Sequence, residues 1–224
     1  MTQSLLRFQG VSFAYRPEQP VLVDCDFALE PGERVGLTGP TGSGKTTLLE
    51  LAIGLLRPAG GEVEVLGRVR RSERDFQEVR GPVGLLFQDA DDQLFCPTVV
   101  EDVAFGPLNL GKPRPEVRRI VAQTLEALGL GGYEQRITSQ LSGGEKRLVA
   151  LATVLAMEPA ILLLDEPTFG LDQRLARRVT EVLLGLPQAM VLVTHDCRFL
   201  RDIATRTVRL RQGRLSPGDA DETW

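Results

Sequence analysis

The stretch Gly39-Pro40-Thr41-Gly42-Ser43-Gly44-Lys45-Thr46 constrains this chain more than any other. It matches G-x-x-x-x-G-K-[ST], and it lies between a short apolar run, Arg34–Thr38, and a longer one over residues 46–56. A strand entering and a helix leaving is the context in which that pattern cradles phosphate. Its glycines let the backbone curl so that several N–H groups face one anion, and the helix N-terminus adds the positive end of its dipole. Lys45 can then reach the β- and γ-phosphates, the Thr46 hydroxyl can ligate Mg2+, and Thr47 continues the first turn. The competing reading is a plain glycine-rich turn, and the flanking strand and helix argue against it.

The rest of the chain reads as alternating elements. Leu6, Phe8, Val11, Phe13 and Tyr15 suit a strand, followed by another over residues 21–29, with Pro17 and Pro20 between them. Residues 46–56 read as a helix ended by Pro58, and residues 62–66 and 83–87 as strands. From residue 89 to about 157 prolines and loops come first, then helical patterns over 116–128 and 143–157. Buried strands are expected at 161–164 and 190–194, a helix at 174–184, and a hairpin around Gly213. The fold class is therefore α/β: a mainly parallel core sheet, an antiparallel N-terminal β part and an inserted helical part. The expected division of a single domain over 1–224 is 1–88 with 158–215 as core and β part, 89–157 as helical part, and 216–224 as a loose tail.

Composition removes several classes of function. A net charge of -4 offers no basic stripe for nucleic acid. Cys25, Cys96 and Cys197 form no CxxC pair, so reduced thiols are expected and no zinc site. No apolar run approaches the ~18 residues of a membrane-spanning helix. Met1-Thr2-Gln3-Ser4 lacks the pattern of a secretory signal, so a membrane role would require recruitment by a partner.

Three further motifs carry chemistry. Residues 161–164 run into Asp165-Glu166-Pro167, two acids at a strand tip. Beside a phosphate loop this suits Asp165 on the metal and Glu166 on the attacking water, because successive strand residues point opposite ways; an acidic turn is the alternative. His195 ends the strand 190–194, at the ligand face of a parallel sheet. A histidine at a strand end is by itself more often structural; its place among the other motifs favours a bond to the γ-phosphate and water. In Leu141-Ser142-Gly143-Gly144-Glu145, Ser142 and Glu145 fit a capping box. The two glycines are poor helix formers and leave N–H groups bare, which makes a second anion-facing surface.

Taken together these motifs resemble the ABC ATPase family. The order is the phosphate loop, Gln88 after a strand, LSGGE, LLLDEP, an aspartate loop at Phe169-Gly170-Leu171-Asp172, and His195, and the resemblance covers essentially the whole chain. It implies a phosphate-loop NTPase that hydrolyses ATP with Mg2+. Two subunits would pack head to tail, so that Ser142, Gly143 and Gly144 of one close over the ATP on the phosphate loop of the other. It also implies that Tyr15 stacks on adenine, that Gln88 links Mg2+ and water to a transmembrane subunit, and that Asp172 crosses the dimer. Glu145, where glutamine is commoner, and Phe169, at a usually small position, depart from the pattern without removing a phosphate ligand.

Residues 86–95 with Pro97-Thr98-Val99 and residues 101–107 resemble the ATPases of energy-coupling-factor importers, most of all those for cobalt or nickel. That resemblance implies an import motor, for a transition-metal ion or a vitamin. It implies a second ATPase subunit, with a homodimer favoured, a transmembrane coupling subunit and a substrate-binding membrane subunit. The chain would then sit at the cytoplasmic face of the membrane. Such ATPases often continue into a further C-terminal helical region, and dimer contacts from it are expected to be absent here. The alternatives are the ATPase of another ABC transporter and a soluble ABC protein, although no heptads, second domain or basic surface favour the latter. A phosphate-loop kinase or GTPase would lack LSGG, and no N-K-x-D segment is present. Asp89, Asp91, Asp92, Glu101 and Asp102 crowd one segment among apolar residues. They form either a solvated acidic loop or the rim of a groove for an arginine-bearing helix, with Asp91 and Asp92 as its anchors.

Overall fold

The computed structural model describes residues 3–218. Two sheets organise it. The first is antiparallel, in the order β2-β1-β4-β5, from β1 (Leu6–Arg16), β2 (Gln19–Leu29), β4 (Gly60–Val65) and β5 (Arg68–Arg70). The second runs β10-β9-β3-β8-β7-β6, from β3 (Arg34–Thr38), β6 (Val83–Leu86), β7 (Ile161–Asp165), β8 (Ala189–Val193), β9 (Arg206–Arg211) and β10 (Arg214–Pro217). All neighbours in this second sheet are parallel except β10 against β9. The N-terminal strands thus make a sheet of their own rather than an edge of the parallel one.

Strict alternation along the central strands sets the layers, since successive side chains leave a strand on opposite faces. Ile161, Leu163, Ala189, Val191 and Val193 pack with the antiparallel sheet and with Leu48, Leu49 and Leu51 of α1 (Lys45–Ala52). Leu162, Leu164, Met190 and Leu192 pack on the other face. There they meet α3 (Val99–Asn109), α4 (Arg114–Ala127), α5 (Gly143–Leu155), α6 (Gln173–Leu184) and α7 (Cys197–Ile203). Each fully buried aliphatic side chain stabilises this sandwich by about 1.5–3 kcal/mol.

Several elements differ from expectation. α1 ends at Ala52 rather than at 56, because Gly54 turns the chain at φ +73 and a Cβ there would lie 2.1 Å from the Phe76 ring. α3 fills a stretch expected to be loop. A capping box of Thr98 and Glu101 starts it, and Pro107 falls near its end, where few N–H bonds depend on it. β5, α2 (Glu73–Gln77) and α7 were likewise not foreseen. β10 extends through Ser216 and Pro217, into the stretch expected to be loose, and residues 219–224 lie outside the described residues. Among the described residues no helix is long and apolar enough to cross a membrane.

Candidate nucleotide site

Strand register builds the site. Leu37 pairs with Val193, and Val193 with Asp165, so the tips of β3, β8 and β7 end side by side. That is where a parallel sheet presents ligands. After β3 the chain turns at Gly39, whose φ is +144 and where a Cβ would sit 2.2 Å from the Leu210 carbonyl oxygen. The loop through Pro40, Thr41, Gly42, Ser43 and Gly44 then feeds α1. Lys45 is buried, and its Nζ donates to the Gly39 and Pro40 carbonyls at 2.8 and 2.9 Å. Burial lowers its pKa, against the pull of Asp165 and Glu166. Ser43 Oγ is buried and makes no hydrogen bond. An orphaned hydroxyl in a loop of curled amides suits a phosphate oxygen.

The two acids at the tip of β7 do separate, but not by strand alternation as expected. β7 ends at Asp165, and Glu166 enters the left-handed region at φ 51. Thr46 Oγ1 donates to Asp165 Oδ2 at 2.5 Å, and burial raises the pKa of that carboxyl, opposed by Thr46, Arg147 and Lys45. One hydroxyl and one carboxylate form a hard oxygen pair suited to Mg2+, which takes its remaining ligands from phosphates and water. The described residues hold no cluster of three or more His, Cys, Asp or Glu that could bind a metal.

Glu166 points elsewhere. Its carboxylate accepts from Thr194 Oγ1 at 2.9 Å and from the His195 amide at 3.1 Å, and His195 Nε2 stands 3.7 Å from Oε1. The His195 ring is exposed while the Glu166 carboxylate is almost fully covered. A fixed carboxylate beside an exposed imidazole can accept a proton from water and orient it.

A cleft of about 570 Å3 runs from Thr46 and Glu50 past Gln88 to Gly143, Gly144 and Gly170. A Cβ on Gly144 would lie 3.4 Å from the Gly170 carbonyl oxygen. Ser142, Tyr15 and Asp172 lie outside that lining. Ser142 caps α5 in a capping box with Glu145, whose carboxylate also accepts from Tyr133 at 2.8 Å and Arg136 at 3.0 Å. Glu145 is thus a support of the loop. Asp172 caps α6 through the Leu175 amide at 2.9 Å. Tyr15 is exposed, packs edge-on against Phe13, and its hydroxyl lies 3.1 Å from Thr47 Oγ1. Gln88 is exposed at the end of β6.

Sequence reasoning missed two residues here. Thr194, next to His195, was readable as a polar side chain ending an apolar strand. Arg147 is 3 % exposed and donates to the carbonyls of Phe87, Gln88, Asp165 and Glu166. Removing it would take a donor from all four carbonyls; that of Glu166 would keep the Phe169 amide at 3.1 Å, and a buried acceptor left unpaired costs about 1–3 kcal/mol.

Comparison with known proteins agrees with this geometry. The family model described as ABC transporter matches residues 22–169. The chain is 45% identical over 215 residues to the energy-coupling factor transporter ATP-binding protein EcfA of Methanothermobacter thermautotrophicus, covering 94% of this chain and 69% of the relative. It is similar to cbiO1 of Clostridium perfringens, described as part of the ABC transporter complex cbiONQ, with a TM-score of 0.84 and 30% identity over 95% of this chain and 87% of that one. A dimeric post-hydrolysis structure of the ATP-binding cassette MJ0796, bound to ADP and Pi, superposes with a TM-score of 0.87 and 26% identity over 97% of this chain and 100% of that one. From the phosphate loop, the paired carboxylates and these likenesses it follows that the chain belongs to the ABC transporter family, as an ATP-binding and ATP-hydrolysing cassette.

Proposed function

We propose that this cassette is the motor of a membrane importer of the energy-coupling-factor type. The observation that carries the reading is the likeness to EcfA along 94% of the chain. In this reading Lys45, Ser43 and the loop amides hold the phosphates of ATP. Thr46, Asp165 and Gln88 would hold Mg2+, which when bound would neutralise phosphate charge. Glu166 takes the proton of the attacking water, and His195 binds the γ-phosphate and steadies that water. Tyr15 stacks on adenine. Ser142, Gly143 and Gly144 serve the nucleotide of a second copy, with Asp172 crossing between the two. The division into core (1–88, 158–215) and helical part (89–157) belongs to the same reading, and the cargo is a transition-metal ion such as cobalt or nickel, or a vitamin.

A membrane subunit would dock at the cytoplasmic face, on the exposed apolar groove of Cys96, Pro97, Val100, Ala104, Phe105 and Leu108. Phe95 and Phe105 meet edge-on beside it at 4.8 Å. The acidic rim is narrower than the sequence suggests. Asp102 is buried and accepts from the Phe95 and Cys96 amides, Glu101 caps α3, Asp89 accepts from the Asp91 amide, and Asp91 pairs with Lys146 at 2.6 Å. Among the described residues no hydrogen bond or ion pair engages the Asp92 carboxylate.

The test is to purify the tagged chain from detergent-solubilised membranes of its own cells and identify what accompanies it, alongside uptake of cobalt, nickel and vitamins in a deletion strain. Two co-purifying membrane subunits and a lost uptake support the importer. A single large exporter-like partner, or none, overturns it, while ATP turnover by the isolated chain would stand.

A further inference from the structure

Arg147, in the second turn of α5, joins three segments that are far apart in sequence. Its Nη1 donates to the Phe87 carbonyl at 2.5 Å and to the Gln88 carbonyl at 3.0 Å. Its Nη2 donates to the Asp165 carbonyl, and to the Glu166 carbonyl at 2.6 Å. No carboxylate forms an ion pair with it among the described residues; Asp165, Glu166 and Asp89 attract it only through space. Burial lowers its pKa to about 10, so it keeps its charge at neutral pH.

Pairing these carbonyls contributes to stability as any well-placed donor would. What the guanidinium supplies is a rigid planar fork that fixes two pairs of acceptors at once. One of those acceptors belongs to Glu166, whose left-handed backbone at φ 51 is pinned at its amide by the Val193 carbonyl at 2.7 Å and at its carbonyl by Arg147 at 2.6 Å together with the Phe169 amide at 3.1 Å. Another belongs to Gln88, whose side chain faces the cleft. Because Arg147 follows Gly143 and Gly144 in one helix, any shift of α5 is transmitted to both backbones.

We infer that Arg147 is a positioning residue for hydrolysis, tying the LSGGE helix to the main chain of Glu166 and of Gln88. The inference rests on Glu166 being the proton acceptor.

The test compares the whole chain with Arg147→Met, Arg147→Lys, Arg34→Met and Glu166→Gln, measuring kcat, KM, binding of a fluorescent ATP analogue, and Tm. Arg34 is the control, since it also donates to two carbonyls, those of Leu184 and Leu186, away from the site. In Arg147→Met, kcat should fall about tenfold to a hundredfold with nucleotide affinity held within about threefold, because a misplaced reacting group impairs the reaction more than binding. Arg147→Lys should recover part of kcat, since an ammonium can serve one pair of carbonyls. Arg34→Met should lower Tm and leave kcat and KM at parental values well below its melting point. Parental kcat in Arg147→Met, or a loss of affinity equal to the loss of kcat, overturns the inference. If Arg147→Met does not fold, parental kcat in Arg147→Lys overturns it. Parental turnover in Glu166→Gln would instead show that the proton acceptor was misassigned.

Discussion

Thr46 Oγ1 and Asp165 Oδ2 meet at 2.5 Å, although 119 residues separate them in sequence. Pairing of β3 with β8 and of β8 with β7 imposes the contact, which is why a phosphate loop and a distant strand tip make one oxygen pair. Thr46→Val keeps the side-chain shape and removes the oxygen. The Mg2+ concentration needed for half-maximal hydrolysis should rise about tenfold or more, as for other lost metal contacts, with little change in Tm. Titrating ATPase activity with Mg2+ checks this, and an unchanged requirement takes the hydroxyl out of the ion's shell.

Glu166→Gln removes the proposed proton acceptor and leaves the backbone bonds to Val193 and Arg147 in place. Turnover should fall about 10^2 to 10^4-fold, the usual worth of a general base, while ATP affinity stays near that of the parent. The variant should then hold ATP long enough for a dimer to appear on a sizing column. Near-normal turnover would exclude Glu166 from the base role.

These site elements were legible because each is a local pattern with its own chemistry: a glycine-rich loop between a strand and a helix, two acids after four apolar residues, a histidine after a strand. The continuous apolar runs at 161–164 and 190–194 were legible as buried strands, but which element covers each face was not, since all their side chains are apolar up to Thr194. Arg147 was hidden because its function depends on bringing Phe87, Asp165 and Glu166 to one point of α5, and no spacing in sequence reports that. The left-handed turn at Glu166 was hidden for a similar reason, since the strand pattern runs into it without a glycine. α2 and α3 were recoverable. Ser72 with Asp75, and Thr98 with Glu101, are capping boxes, but the five residues of α2 are too few to show a helical period, and Pro97 and Pro107 flank or interrupt that of α3.

Glu145 should make stability depend on acid. Its carboxyl is held at about 2 by hydrogen bonds from the Ser142 amide and hydroxyl, then from Tyr133, with Arg136 adding to the effect. A carboxyl whose folded pKa lies below the unfolded value stabilises fully above the unfolded pKa, about 4.3, and loses that contribution as pH falls through the folded one. The parent should therefore be more stable than Glu145→Gln above about pH 5, by roughly 1 kcal/mol or less at this partly exposed position. The gap should close between about pH 4.5 and 2. Melting both proteins across that range is the check, and a gap independent of pH would deny the carboxylate its role.

Ser142→Arg tests whether the LSGGE loop serves a second copy. Ser142 is exposed, lies outside the Thr46 cleft and spends its hydroxyl on Glu145 at 2.8 Å, so it does little for its own phosphate loop. Monomers should bind Mg·ATP as before and fail to dimerise with it, measured by analogue binding and light scattering. A collapse of monomer affinity would mean that the loop acts on its own nucleotide.

The carboxylates beside the apolar groove should divide by what already engages them. Asp91 is held by Lys146 at 2.6 Å, and Lys146 stands next to Glu145 at the start of α5. Asp91→Asn and Lys146→Gln therefore break the same bond, and each should alter assembly with the membrane subunit by a similar, small amount. Combining them should add little, because partners in one contact are not independent. Asp92 has no partner to lose among the described residues. If it anchors an arginine of the docked helix, Asp92→Asn should weaken co-purification of the membrane subunit and impair uptake, and spare ATP turnover by the isolated chain. For the parent, raising salt should weaken the assembly more than it does for the variant, since a partly exposed ion pair is screened and an amide contact much less. The measurements are co-purification at low and high salt and solute uptake in the same strains. Normal assembly and uptake in Asp92→Asn would leave Asp92 as a solvated carboxylate in a stretch where Asp91 binds Lys146, Glu101 caps α3 and Asp102 holds the Phe95 and Cys96 amides.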